Sequence, residues 1–194
     1  MSPNAPFLMA PGCPAPINWN HLQAAVAHFT GLGFTYVEAP WFVQPQVSAI
    51  TCNRRQGIIS TDLGDLIGSS EQSFIQMHAA GILPAGRYVA LTPCFRNEHE
   101  IDLLHSRWFM KAELFINDSP EDPLLQEIVS ACREHFDLLA GRPGITRVVV
   151  THEGFDLTVN DIEVGSYGLR RHGSLHWLYA TALAEPRFSI ALGS

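Results

Sequence analysis

The residues best suited to chemistry fall in two short stretches, Phe95-Arg96-Asn97-Glu98 and His105-Ser106-Arg107-Trp108-Phe109-Met110-Lys111-Ala112-Glu113. They read as the two arms of a long-looped hairpin, with strands over 87–96 and 108–117 and a polar link over 97–107. Such a hairpin brings Arg96, Glu98, His105 or Arg107, Phe109 and Glu113 to neighbouring places. Taken alone it admits a plain reading, with Arg96 and Glu98 as a same-face ion pair worth less than about 1 kcal/mol and Phe109 as core. The basic pairs Arg54-Arg55 and Arg170-Arg171 can meet a phosphate or simply face solvent. Cys13, Cys52, Cys94 and Cys132 lie far apart, never in the Cys-x-x-Cys spacing of a zinc site, and no segment joins a cysteine to a histidine as a hydrolase would need. They read as reduced thiols.

The elements around the hairpin have clear punctuation. Asn18 is suited to cap a helix in which Leu22, Ala25, Val26 and Phe29 recur at helical spacing, ended by Gly31 and Gly33. A strand over 34–38 follows and Pro40 stops it. Residues 47–68 mix glycine, polar and β-branched types, which predicts short strands and turns. Ser69 or Ser70 caps a helix through Phe74, Ile75, Met77 and His78 that closes before Gly81. An amphipathic helix starting near Leu124 sets Ile128, Val129, Cys132, Phe136 and Leu139 on one face, and Gly141-Arg142-Pro143-Gly144 breaks it. Strands over 147–151, 155–159, 161–168 and 175–183 precede a short C-terminal helix. The pattern predicts an α+β fold, an antiparallel sheet flanked by helices.

With 194 residues, 46% hydrophobic and 16% charged, the chain can bury a real core but is short for two independent domains. Its net charge of −7 gives a field that repels polyanions, so tight autonomous binding to nucleic acid is not expected. Residues 1–17 form a Pro-rich leader without the basic start and apolar run of a secretion signal, ahead of a core over 18–194. No stretch reaches the roughly 20 apolar residues of a membrane span, so the expected location is cytoplasmic, with no membrane partner.

The order of residues in the hairpin goes further than its chemistry. Phe-Arg-x-Glu, a loop, and then His-x-x-x-Phe-x-x-x-Glu resemble the second signature motif of class II aminoacyl-tRNA synthetases. The resemblance implies ATP as a bound nucleotide: Arg96 on the α-phosphate, Glu98 accepting from the adenine amino group, Phe109 stacking on the ring, and His105 or Arg107 reaching the distal phosphates. A forked guanidinium suits a phosphate on which negative charge builds during attack by a carboxylate. Gly33-Phe34-Thr35-Tyr36-Val37-Glu38-Ala39-Pro40-Trp41-Phe42 is similar to the first motif, which implies a homodimer interface with Trp41 and Phe42 as contacts. Residues 179–192 resemble the third motif, which implies Arg187 on the γ-phosphate. There Ala180, Ala182 and Ala184 replace the usual glycines, and their methyl groups are expected to crowd the nucleotide.

Two further stretches fit the same family. Gly68-Ser69-Ser70-Glu71-Gln72 resembles a loop that holds the substrate amino group, which makes Ser69, Glu71 and Gln72 substrate residues beside Glu113; an ordinary helix N-terminus accounts for them equally well. Residues 155–170 look like the aspartyl and asparaginyl enzymes, which implies Glu163 as a Mg²⁺ ligand and Arg170 as a reader of an acidic or amide side chain. Asp156 and Asp161 read as turn and strand-end residues. The implied activity is formation of an aminoacyl-adenylate, with Arg96 and Arg187 as catalytic residues. The acceptor is then a tRNA end, a carrier protein or another small molecule. A non-catalytic paralogue that binds nucleotide and amino acid is the alternative.

Overall fold

The computed structural model of the protein describes residues 15–52, 57–98 and 100–193. Residues 1–14 of the leader, Cys13 and the Arg54-Arg55 pair lie outside them. Helix α1 (Trp19–Gly31) starts where Asn18 accepts from the backbone N–H groups of Asn20 and His21, and it buries Leu22, Ala25 and Phe29. Gly33 takes a positive φ of 88°, which turns the chain into β1 (Thr35–Tyr36). Then come β2 (Phe42–Val43), α2 (Pro45–Thr51), β3 (Ile59–Thr61), β4 (Gly64–Leu66), α3 (Ser70–Ala79), β5 (Arg87–Phe95) and β6 (Trp108–Ile116). The second half runs α4 (Asp122–Ala140), β7 (Thr146–Val150), β8 (Gly154–Val159), β9 (Ile162–His172), β10 (Leu175–Glu185) and α5 (Arg187–Leu192).

Seven strands form one sheet in the order β1-β5-β6-β10-β9-β8-β7, antiparallel except where β1 runs parallel to β5. Side-chain alternation divides its two faces. Met110, Ala112 and Leu114 of β6 enter a core shared with Phe29 of α1, Phe136 of α4 and Phe188 of α5. On the opposite face Phe115 and Trp177 pack with Phe74 of α3 in a smaller core, beside the three-stranded sheet β2-β4-β3. The predicted α+β architecture is therefore present. Helices α1, α4 and α5 cover one face, whereas α3 covers part of the other and leaves the rest for the site.

Three local expectations differ. The strand over 34–38 shrinks to two exposed residues at a sheet edge. The region 47–68 contains helix α2 ahead of its two strands. That helix has seven residues and no side-chain cap, so it offers little periodicity to read, and burial of Val47 and Ser48 holds it. Strand β9 runs on to His172, because its register with β10 sets Arg170 opposite Trp177. Among the described residues no helix is long and apolar enough to cross a membrane.

Candidate active site

Two adjoining cavities open on the sheet face away from α1 and α4. The smaller, about 100 Å³, is lined by Arg96, Glu98, Phe109, Glu163 and Arg187. The larger, about 350 Å³, is lined by Ser69, Glu71, Gln72, Glu113 and Arg170. Arg96, Glu98, Lys111 and Ser166 line both and form the wall between them. Hairpin β5–β6 thus supplies the centre of the site, with β9, β10 and the N-terminus of α3 around it.

In the smaller cavity the Arg96 guanidinium lies 5.1 Å from the Phe109 ring centroid. Arg187 donates to the Leu104 carbonyl at 2.7 Å and stands 4.0 Å from the half-exposed Glu163 carboxylate. The loop residues expected to reach phosphates do not line either cavity. His105 faces outward, where its Nδ1 meets both Asp102 oxygens at 2.9 Å, and Arg107 is exposed. Asp102 also accepts from the backbone N–H groups of Leu104 and His105, so a local turn has claimed the imidazole. Hydrogen bonding to His105, then to these two N–H groups, holds the Asp102 carboxyl below the usual range. Ser106 and Leu104 face the cavity in their place.

The expected crowding by the third motif is reduced to one methyl group. Ala180 and Ala182 are buried in the helix-covered core, whereas Thr181 and Ala184 line the smaller cavity. A register shift of β10 against β6 between Thr181 and Leu183 makes the difference, since it breaks strict alternation and turns Ala184 toward the cavity.

The larger cavity has a tightly bonded floor. The Ser69 hydroxyl donates to both Glu113 oxygens, at 2.6 and 2.7 Å, and Lys111 donates to the same carboxylate at 2.9 Å. Glu71 accepts from Arg170 at 2.7 Å and from the Trp177 indole at 2.6 Å. Burial raises the Glu71 carboxyl pKa, and Arg170 opposes this most strongly, with Trp177 assisting. Both direct donors favour the charged form of this carboxyl, against its burial. Arg170 spends its other Nη on Glu153 at 2.9 Å and stacks on Tyr179 at 4.2 Å. The fork expected to read a substrate carboxylate is closed on two protein carboxylates. Gln72 lines the cavity but braces the backbone: it accepts from Gly68 N–H and donates to Thr51 Oγ1 and Ser48 O.

Lys111, Trp177 and Tyr179 were missed as site residues. Lys111 was within reach of sequence reasoning, because it alternates with Phe109 and Glu113 on one strand face. Trp177 and Tyr179 became part of the site through pairing of β9 with β10 and docking of α3, which no local spacing encodes. Glu163 is a single hard carboxylate at the cavity edge. Mg²⁺ is commonly held by one or two carboxylates with substrate phosphates, so the donor fits. No group of three or more His, Cys, Asp or Glu side chains among the described residues forms a metal cluster.

No protein-family description matches the chain. Over 116 residues it is 34% identical to a serine–tRNA ligase of Streptomyces coelicolor (strain ATCC BAA-471 / A3(2) / M145), a match covering 52% of this chain and 27% of that protein. The chain thus spans about a quarter of that relative's length. Among solved structures, pyrrolysyl-tRNA synthetase from Desulfitobacterium hafniense superposes with a TM-score of 0.71 at 14% identity, covering 89% of this chain and 68% of that one. Seryl-tRNA synthetase from Pyrococcus horikoshii, solved in complex with ATP, gives 0.71 at 21% identity, covering 89% and 49%. These relatives lend no support to a special kinship with the aspartyl and asparaginyl enzymes. The chain has the fold of a class II aminoacyl-tRNA synthetase catalytic core.

Proposed function

We propose that this chain activates a small, neutral amino acid with ATP. The substrate carboxylate attacks the α-phosphorus, the bond to the bridging oxygen breaks, and pyrophosphate leaves an aminoacyl-adenylate. The observation that carries the reading is Arg96 on the wall shared by the two cavities. A nucleotide in one and an amino acid in the other would bring carboxylate and α-phosphate together at its guanidinium, where charge develops. Glu98 and Phe109 would hold the adenine, Arg187 the γ-phosphate, and Glu163 a Mg²⁺ that would offset phosphate charge. Glu113 and Glu71, beside Ser69, would accept from the substrate ammonium. Gln72 keeps that loop in shape.

A neutral side chain is favoured because Arg170 and Lys111, among the described residues, already face protein carboxylates, so an acidic substrate would meet Glu71 and Glu113 with neither of these two cations unpaired. The serine named for the relative from Streptomyces is of this kind. The smaller cavity is below the roughly 300 Å³ of common ligand sites. Nucleotide entry therefore requires the 97–107 loop to withdraw Leu104 from Arg187. That same contact favours the second reading, a paralogue that binds ligands without catalysis.

A homodimer through residues 33–42 agrees with the exposure of Trp41, Tyr36 and Leu32. The acidic charge favours an acceptor met through a small contact, such as a tRNA acceptor end or a carrier protein, over autonomous binding of a whole tRNA. The buried thiols Cys94 and Cys132 suit a cytoplasmic location. ATP–pyrophosphate exchange with each amino acid in turn tests the reading. Serine, alanine or glycine should outrun aspartate and leucine, and Arg96→Ala should lower exchange by about 10²–10³-fold. No exchange with any amino acid, together with retained ATP binding, would leave the non-catalytic reading.

A further inference from the structure

The junction that presents Arg187 has a polar, buried rear. Glu185 ends β10, Pro186 follows and Arg187 opens α5. The Glu185 side chain is fully buried; its Oε1 lies 2.8 Å from His21 Nδ1 and 3.0 Å from Ser189 Oγ. Its Oε2 is buried and has no hydrogen-bond partner among the described residues. The proton on His21 follows from its other neighbour. Asn18 uses Oδ1 to accept two N–H groups of α1, so its Nδ2 faces His21 Nε2 at 3.2 Å. An amide nitrogen only donates, hence Nε2 accepts and Nδ1 carries the proton that is given to Glu185. The N-cap of α1 thereby fixes the tautomer that bonds the carboxylate.

Such a cluster is costly in a core. Burial raises the Glu185 carboxyl pKa, and the His21 and Ser189 donors only pull against this. Phe188, edge-on to the His21 ring at 5.4 Å, offers apolar surroundings that leucine or methionine would fill as well. Replacing a buried polar pair by apolar residues of similar volume is often neutral or stabilising, so fold stability is a poor reason for it. On the other side of this junction lies the smaller cavity, lined by Ala184, Pro186 and Arg187. We propose that His21, Glu185 and Ser189 are positioning residues for Arg187, which bond the β10–α5 turn from behind so that the guanidinium is aimed at the distal phosphates of ATP. The proposal rests on the reading of the smaller cavity as the nucleotide site. Directional hydrogen bonds fix the turn's orientation, whereas apolar packing tolerates small rotations, and misplacement by about 1 Å can cost about 100-fold.

The test compares the double variant His21→Leu/Glu185→Met with the single variants His21→Asn and His21→Leu. Thermal unfolding, calorimetric binding of ATP with Mg²⁺, and exchange kinetics are measured on each. The double variant should keep or raise its melting temperature while binding ATP about tenfold or more weakly, with KM for ATP raised and KM for the amino acid unmoved. Asparagine places an amide nitrogen near the position of Nδ1, so His21→Asn should recover most of the affinity that His21→Leu loses. Unchanged ATP affinity in the double variant overturns the proposal. So does a loss of affinity that merely accompanies lost thermal stability, or an asparagine variant as weak as the leucine one. A wild-type protein that binds no ATP removes the adenylation reading itself, and this one with it.

Discussion

Arg96 stands where the two cavities meet, and its neighbours differ in how completely they are already bonded. Its guanidinium contacts the Phe109 face, a weak hold that a phosphate can displace. Arg96→Ala should therefore leave the melting temperature nearly unchanged while lowering exchange by about 10²–10³-fold, the usual loss for one donor to a developing charge. Equal activity in this variant would remove Arg96 from the chemistry. Arg170 is the opposite case, bonded to Glu71 and Glu153 and stacked on Tyr179. Arg170→Leu should lower the unfolding free energy by about 1.5–3 kcal/mol, because it leaves the buried Glu71 with fewer charge-assisted donors. Urea titration measures this, and an unaltered midpoint would show that Glu71 is content with Trp177 alone.

The packing of α1 against α4 carries a pH response. His135 of α4 is buried, stacks on His28 of α1 with centroids 4.4 Å apart, and has no hydrogen-bond partner on either ring nitrogen among the described residues. Burial, and then the neighbouring His28 and His21, depress its pKa to about 4. The unfolded chain, with an ordinary histidine value near 6.5, takes up the proton first as pH falls. Stability from this group is thus complete above about pH 6.5 and is lost as pH drops toward 4, by up to about 3 kcal/mol. His135→Phe, which keeps an aromatic ring against Phe29, should flatten the dependence of melting temperature on pH across that window. An undiminished slope would assign the effect to other groups. At the same scale, the β10 register shift explains why the alanines of the third motif need not block nucleotide, since only Ala184 meets the cavity.

At the scale of the whole molecule, the exposed aromatic edge and the acidic charge make separate demands. Trp41 is 51% exposed and follows the two-residue edge strand β1, while Tyr36 and Leu32 are exposed nearby in sequence. A second copy covering them would give a particle of twice 21.4 kDa in sedimentation at micromolar concentration. Trp41→Glu should shift it toward monomer, and a wild type that sediments near 21.4 kDa would refute the dimer. With net charge −7, any tRNA retained by the isolated chain should be weak and lost on a modest rise in salt.

The sequence by itself determined the elements whose reasons are local. Asn18 and Ser69 mark two helix starts, the face of α4 shows in its 3.6-residue repeat, and strand alternation puts Phe109, Lys111 and Glu113 together. Phe109 and Glu113, together with Arg96, Glu98 and His105, also carried the resemblance to the second synthetase motif. Helix α2 was hidden because seven residues without a cap leave too short a period to detect. The tertiary structure alone decided which polar groups were free for chemistry. Arg170 was occupied by Glu71 from α3 and Glu153 from before β8, and the methyls of Ala180 and Ala182 were sent to the core. The partners of Arg170 lie 99 and 17 residues away, so the bonds that commit it exist only once the chain has folded. A motif specifies residue types at a spacing. Whether each donor still has an unpaired hydrogen depends on what folding brings against it.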